Sequence, residues 1–147
     1  MASFNFETSP RIVCEQGSAA RIGELAKGLG ASHVFIVTDA FLHNSGLTKS
    51  LLAGLGAQKL KHTLYTDVLA DPPEASVQAA VAQAIASGAD AVIGFGGGSA
   101  MDTAKLVALL VRTPQDIPSI YGVDIARGPR LPLIQVPTTA GTGSEVT

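Results

Sequence analysis

The 147 residues contain a single cysteine, no tryptophan and few aromatic residues, and charged side chains account for only 15% of the chain. A lone Cys14 has no partner for an internal disulfide, which points to a reducing compartment. Neither sign of charge dominates: 10 Lys+Arg against 12 Asp+Glu leave a formal net charge of -2. That balance lacks the basic footprint of a nucleic-acid binder. No apolar run approaches the ~20 residues needed to cross a bilayer. The opening residues, MASFNFE, carry neither the basic lead nor the apolar stretch of an export signal. With 46% hydrophobic residues and so little charge, the chain is not disordered. A soluble cytoplasmic domain, free of membrane and nucleic acid, is expected.

What is present is an alternation. Short β-branched runs at residues 33–38 (HVFIVT), 60–66, 90–95 and 131–136 are separated by alanine- and leucine-rich stretches. Two further short strands are expected at 4–6 and 11–14. Helices are expected from Gly17-Ser18, with Ile22, Leu25, Ala26 and Leu29 at helical spacing, and at 47–55. Another opens at Asp71-Pro72-Pro73-Glu74 with an apolar face of Val77, Val81, Ala84 and Ile85; a last one spans 99–112. Strands alternating with helices at these lengths predict an α/β fold: a Rossmann-like, mostly parallel sheet with helices on both faces. The chain stops at Glu145-Val146-Thr147 beside a glycine- and threonine-rich loop, so the whole 1–147 reads as the front domain of something longer.

Three segments carry candidate chemistry. The run Gly94-Phe95-Gly96-Gly97-Gly98-Ser99 lies between a buried strand and a helix. There the backbone can approach a ligand closely and aim free helix N–H groups at a phosphate, with Ser99 as a cap. The spacing is G-x-G-x-x-S, and no Walker A ending follows. Asp39 ends a strand, where a carboxylate either receives ribose hydroxyls or caps a helix. An acid in the ribose role favours NAD over NADP. Residues 137–145 place Thr138, Thr139, Thr142 and Ser144 among glycines at a strand's C-terminal end, suited to a pyrophosphate or a nicotinamide amide.

Other polar residues offer less. His33, His43 and His62 are scattered, with no second ligand at i+3 or i+4, and read as surface or strand-end residues. Cys14 reads as a small buried side chain. Asp102 and Lys105 stand one turn apart, either as a surface ion pair or as a brace for the glycine loop.

The stretches GGGSAMDTAK (96–105), IYGVD (120–124), PLIQVPTTAGTGSEVT (132–147) and VTDAFLHNSGL (37–47) together resemble the iron-containing (group III) alcohol dehydrogenases. The resemblance implies a cofactor-binding N-terminal domain that works with a helical, metal-holding C-terminal domain. It implies that Gly97, Gly98 and Ser99 hold the pyrophosphate with Asp102 beside them. Thr138, Thr139 and Thr142 would contact the phosphates and the nicotinamide side. Asp39 would face the adenosine ribose, and Phe41 and Pro72 the adenine end. The activity implied is hydride transfer between NAD and a primary alcohol or aldehyde, assisted by Fe2+ or Zn2+. The family's metal ligands, one aspartate and three histidines, match no position here, so these residues alone are expected to be inactive and without a catalytic residue. Relatives commonly dimerise, and residues 4–6 offer an edge strand for pairing. Two alternatives remain: a non-catalytic nucleotide-binding module and a dehydroquinate-synthase-type lyase domain, the latter a poorer match to the paired motifs.

Overall fold

A computed structural model describes residues 8–122 and 124–147. Four strands form one parallel sheet: β1 (His33–Val37), β2 (Lys61–Tyr65), β3 (Ala91–Gly96) and β4 (Leu133–Pro137), in the order β2-β1-β3-β4. Chain order reverses direction between β1 and β3. With right-handed crossovers, that reversal sends the connecting helices to opposite faces.

The side chains follow suit. Val34, Ile36, Ile93 and Phe95 pack with helices α1 (Ile22–Gly28) and α3 (Lys49–Ala57), through Ala26, Leu51 and Leu55. Phe35, Val37 and Val92 point the other way, toward α4 (Glu74–Ser87) and α5 (Gly98–Arg112), meeting Ala80, Ala84, Ala104 and Val107. This period-two division of continuous apolar runs is what a parallel sheet covered on both faces requires. The expected α/β, Rossmann-like architecture is therefore present.

Several local expectations change. Residues 11–14 form no strand, because this segment has no pairing partner among the described residues, and the expected strand at 4–6 lies outside them. Cys14 is exposed rather than buried. Ile85 is 56% exposed; the buried stripe of α4 is Val77, Ala80 and Ala84, so the small alanines, not the larger isoleucine, let the helix lie close to its neighbours. A short helix, α2 (Ala40–Asn44), precedes α3, and α3 starts at Lys49, two residues later than the sequence suggests.

Two contacts set the geometry of the sheet's supports. The 3-10 turn Ser18–Arg21, α1 and α3 meet backbone to backbone: a Cβ on Gly23 would lie 2.0 Å from the Gly54 carbonyl oxygen, and one on Gly54 would lie 2.3 Å from that of Ala20. At the strands' N-terminal edge, the Asp90 carboxylate accepts from the amides of Ser32 and His33 and from the Ser32 hydroxyl, tying the start of β3 to β1. Burial raises the pKa of this carboxyl, but the Ser32 hydroxyl and the two amides outweigh it and hold the value below the usual 3.8.

Because the folded pKa is depressed, Asp90 stabilises the fold at neutral pH, and that contribution is lost as pH falls below the ordinary carboxylate range. Asp90→Asn is expected to cost about 1–2 kcal/mol at pH 7 and to flatten the acid limb of stability, read by urea denaturation across pH. Gly23→Ala and Gly54→Ala are expected to cost about 1–3 kcal/mol or more by overpacking, in the same assay.

Candidate functional site

Parallel strands bring their C-terminal ends to one edge, and the sheet's reversal point between β1 and β3 opens a crevice there. β1 runs out through Thr38 into Asp39, β3 into Gly97 and Gly98, and β4 into Thr138 and Thr139. Thr138 N–H donates to the Gly96 carbonyl at 2.9 Å, so the glycine loop and the threonine loop leave the sheet side by side. Between them and Asp39 lies a cleft of about 760 Å3. Its polar wall is Asp39, Gly97, Gly98, Ser99, Thr138 and Thr139. Its apolar wall is Phe41, Leu42, Leu47, Val68, Leu69 and Ala70. Phe41 is 76% exposed, and Leu47 and Leu69 are each 54% exposed, a concentration of open apolar surface in one place.

Helix α5 begins at this cleft. Its N-cap is Gly97, and no side chain caps it. Ser99, expected as the cap, is the second residue of the helix, too far along to accept from the first turn. The leading amides of a 15-residue helix therefore face the cleft without an acceptor among the described residues, the arrangement that suits an anion.

The glycines divide into two kinds. A Cβ on Gly94 would lie 2.2 Å from Gln135 Oε1 and 2.9 Å from the Ala104 methyl; on Gly96, where φ is +153°, it would lie 2.8 Å from Ala100. Those two let α5 lie against the sheet. Gly97 and Gly98 have no such duty. Their φ values are ordinary, and a Cβ would meet only Thr139 Oγ1 at 3.4 Å, or Ser144 Oγ at 3.4 Å and Thr142 at 3.5 Å. The fold does not consume the space at these two positions, which leaves it for a ligand.

Of the two roles that the sequence left open for Asp39, the structure shows the helix cap. Asp39 Oδ1 accepts from Leu42 N–H at 2.8 Å and caps α2. Its Oδ2 faces Gly96, 3.9 Å from the position of a Cβ there, and has no protein donor among the described residues. Asp102 and Thr142 stand beside the cleft, not in its wall. Asp102 Oδ2 accepts from Ser144 Oγ at 3.3 Å, and Thr142 lies across from Gly98. Phe41 lines the cleft; Pro72, expected with it, does not.

A family model described as iron-containing alcohol dehydrogenase matches residues 9–147. The chain belongs to the iron-containing alcohol dehydrogenase family. It is 43% identical over 142 residues to the probable alcohol dehydrogenase EutG of Escherichia coli (strain K12), covering 97% of this chain and 36% of that protein. The chain thus spans about a third of the curated relative's length. In structure it resembles a 1,3-propanediol oxidoreductase, with TM-score 0.94 and 25% identity over 99% of this chain and 38% of that one. It also resembles the sulfoacetaldehyde reductase of Bifidobacterium kashiwanohense, solved in complex with NAD+ (TM-score 0.79, 33% identity, 90% of this chain and 35% of that one).

For an iron-containing family, the metal question turns on donors. Among the described residues no three His, Cys, Asp or Glu side chains converge on a point that could hold a metal ion. His33 Nε2 pairs with Thr63 Oγ1 at 2.9 Å, and His43 Nδ1 with Thr48 Oγ1 at 3.2 Å. These residues do not fit a metal centre by themselves. Val68, Leu69 and Ala70 escaped the sequence reading: they carry no motif, and only the path of the chain after β2 brings them to Asp39, where Asp67 forms a bridge with it.

The division of the glycines predicts a contrast in stability. Gly98→Ala should leave the melting temperature close to that of the parent, whereas Gly94→Ala should lose about 1–3 kcal/mol, since its methyl has no room. Thermal and urea denaturation of the two variants distinguishes them.

Proposed function

We propose that the chain is the cofactor-binding part of an NAD-dependent oxidoreductase that interconverts a primary alcohol and an aldehyde, with Fe2+ or Zn2+ held by a helical domain beyond these residues. The observation that carries this reading is the uncapped N-terminus of α5, opening on a cleft beside two glycines whose side-chain space is unused. The complex of one relative with NAD+ supports the same choice of cofactor.

The chain's residues divide the work. The amides at the start of α5 and the backbone of Gly97, Gly98 and Ser99 receive the pyrophosphate. Thr138, Thr139 and Thr142 supply hydroxyls to the phosphates and the nicotinamide side. Asp39 Oδ2 accepts from a ribose hydroxyl, and its charge disfavours a 2′-phosphate, hence NAD over NADP. Phe41, Leu47 and Leu69 form an apolar wall for the adenine. The bound dinucleotide supplies the hydride acceptor, while the protein contributes orientation and charge. With no metal-binding cluster among the described residues, the isolated chain is expected to bind cofactor without turning over. We place the protein in the cytoplasm, where the exposed thiol of Cys14 stays reduced. Among the described residues no helix is long and apolar enough to cross a membrane. Pairing of two copies through residues 4–6 belongs to the same proposal.

Calorimetric titration with NAD and NADP tests it. NAD is expected to bind and NADP to bind at least about tenfold more weakly, the loss of a charge-assisted contact worth roughly 1.5 kcal/mol. Asp39→Asn keeps an acceptor for the Leu42 amide, so stability should hold while the preference for NAD collapses. Gly98→Val should abolish binding by filling the phosphate space. Equal affinity for the two nucleotides, or binding untouched by Gly98→Val, contradicts the proposal. Metal-dependent oxidation of ethanol or 1-propanol by the isolated chain contradicts its inactivity.

A further inference from the structure

The threonine loop has little to hold its shape. Gly141 and Gly143 take positive φ values of +100° and +72°, and Thr139, Thr142 and the intervening backbone are exposed. Glycines in such positions give up much conformational freedom when a loop is ordered. The near end is fixed by the Thr138–Gly96 hydrogen bond. The far end is fixed differently.

Lys105 Nζ donates to Asp102 Oδ1 at 3.0 Å and to Thr147 Oγ1 at 2.6 Å. Asp102 Oδ2 accepts from Ser144 Oγ at 3.3 Å, and the Ser144 amide donates to Thr142 Oγ1 at 3.3 Å. Ser144 itself is buried, 8% exposed, and the Lys105 side chain is 25% exposed. An i,i+3 ion pair on an exposed helix contributes only a few tenths of a kcal/mol. Here, however, each member of the pair also reaches a residue 42 positions on in the chain. Two points on α5 therefore grip two points on the loop.

We propose that Lys105 is a positioning residue for the pyrophosphate subsite. It completes a clasp, Lys105–Asp102–Ser144–Thr147, that holds Thr142 opposite Gly98. It also offsets the Asp102 charge, which unpaired would repel an anion at the helix N-terminus one turn away. Lysine suits the task because its ammonium carries three donors and serves a carboxylate and a hydroxyl together. This inference rests on the cofactor reading, and its test keeps the two apart.

The variants are Lys105→Met, Lys105→Arg, Ser144→Ala and the Lys105→Met/Ser144→Ala double. Amide hydrogen exchange at Ser144 and Val146, NAD affinity by calorimetry, and melting temperature are read for each. Lys105→Met and Ser144→Ala are each expected to speed loop exchange and weaken NAD by about tenfold, with an unchanged melting temperature. The double variant should be no worse than the poorer single, because both act through Asp102. Lys105→Arg, which retains charge and donors, should recover most of the affinity. Unchanged exchange in Lys105→Met overturns the clasp. Faster exchange with unaltered NAD affinity overturns its role in binding. Failure of the unaltered chain to bind NAD overturns the cofactor reading and that role together, while the exchange data still report on the clasp by itself.

Discussion

The close approach of α5 to β3 is the contact on which the rest of the structure depends. Gly94 sits beneath the helix with no room for even a methyl group, facing Ala104 and the Gln135 amide, whose Nε2 donates to the Met101 carbonyl of the helix at 2.9 Å. Because α5 lies this low on the sheet, Ala100, Met101, Ala104, Val107 and Ala108 are all buried along one side. Its first turn is thereby set level with the ends of β1, β3 and β4. A helix held farther out by a larger residue at 94 would carry its leading amides away from Asp39 and the threonine loop. Packing in the core thus determines the geometry at the edge.

The cleft combines three physical elements. It offers unpaired helix amides, a carboxylate with one oxygen engaged and one open, and an apolar wall of exposed Phe41, Leu47 and Leu69. An anionic, hydroxyl-rich and aromatic molecule meets all three, which is the chemistry of an adenine dinucleotide. Helix amides favour the negative phosphates, whereas Asp39 favours hydroxyls and disfavours further phosphate. On the proposed reading, the two ends of the cleft therefore impose direction on a bound dinucleotide.

Much of the framework was legible in the sequence because each buried strand is a continuous apolar run between helical stretches. Residues 33–38, 90–95 and 131–136 fall within two residues of the observed β1, β3 and β4. The glycine run, Asp39 and the paired threonines were legible too, since strand ends and glycine spacing mark them. What could not be read depends on tertiary contacts. α2 is only five residues long and shows no periodicity. Residues 11–14 look like a strand but have no partner among the described residues. Ser99 has the chemistry of a cap, yet the chain turns into the helix at Gly97, two residues earlier. The reach of Lys105 and Asp102 to a loop 42 residues away has no local signature at all.

The most direct test of the central claim is chemical-shift mapping of the isotope-labelled chain during titration with NAD. The account predicts that the amides of Gly97, Gly98, Ser99 and Ala100 move furthest, with Thr138, Thr139, Thr142 and Leu42 following. The apolar groove of about 280 Å3 between α4 and residues 114–117, lined by Gln78, Ile85 and Ile117, should stay silent. Shifts centred on that groove, or none at the start of α5, would contradict the account.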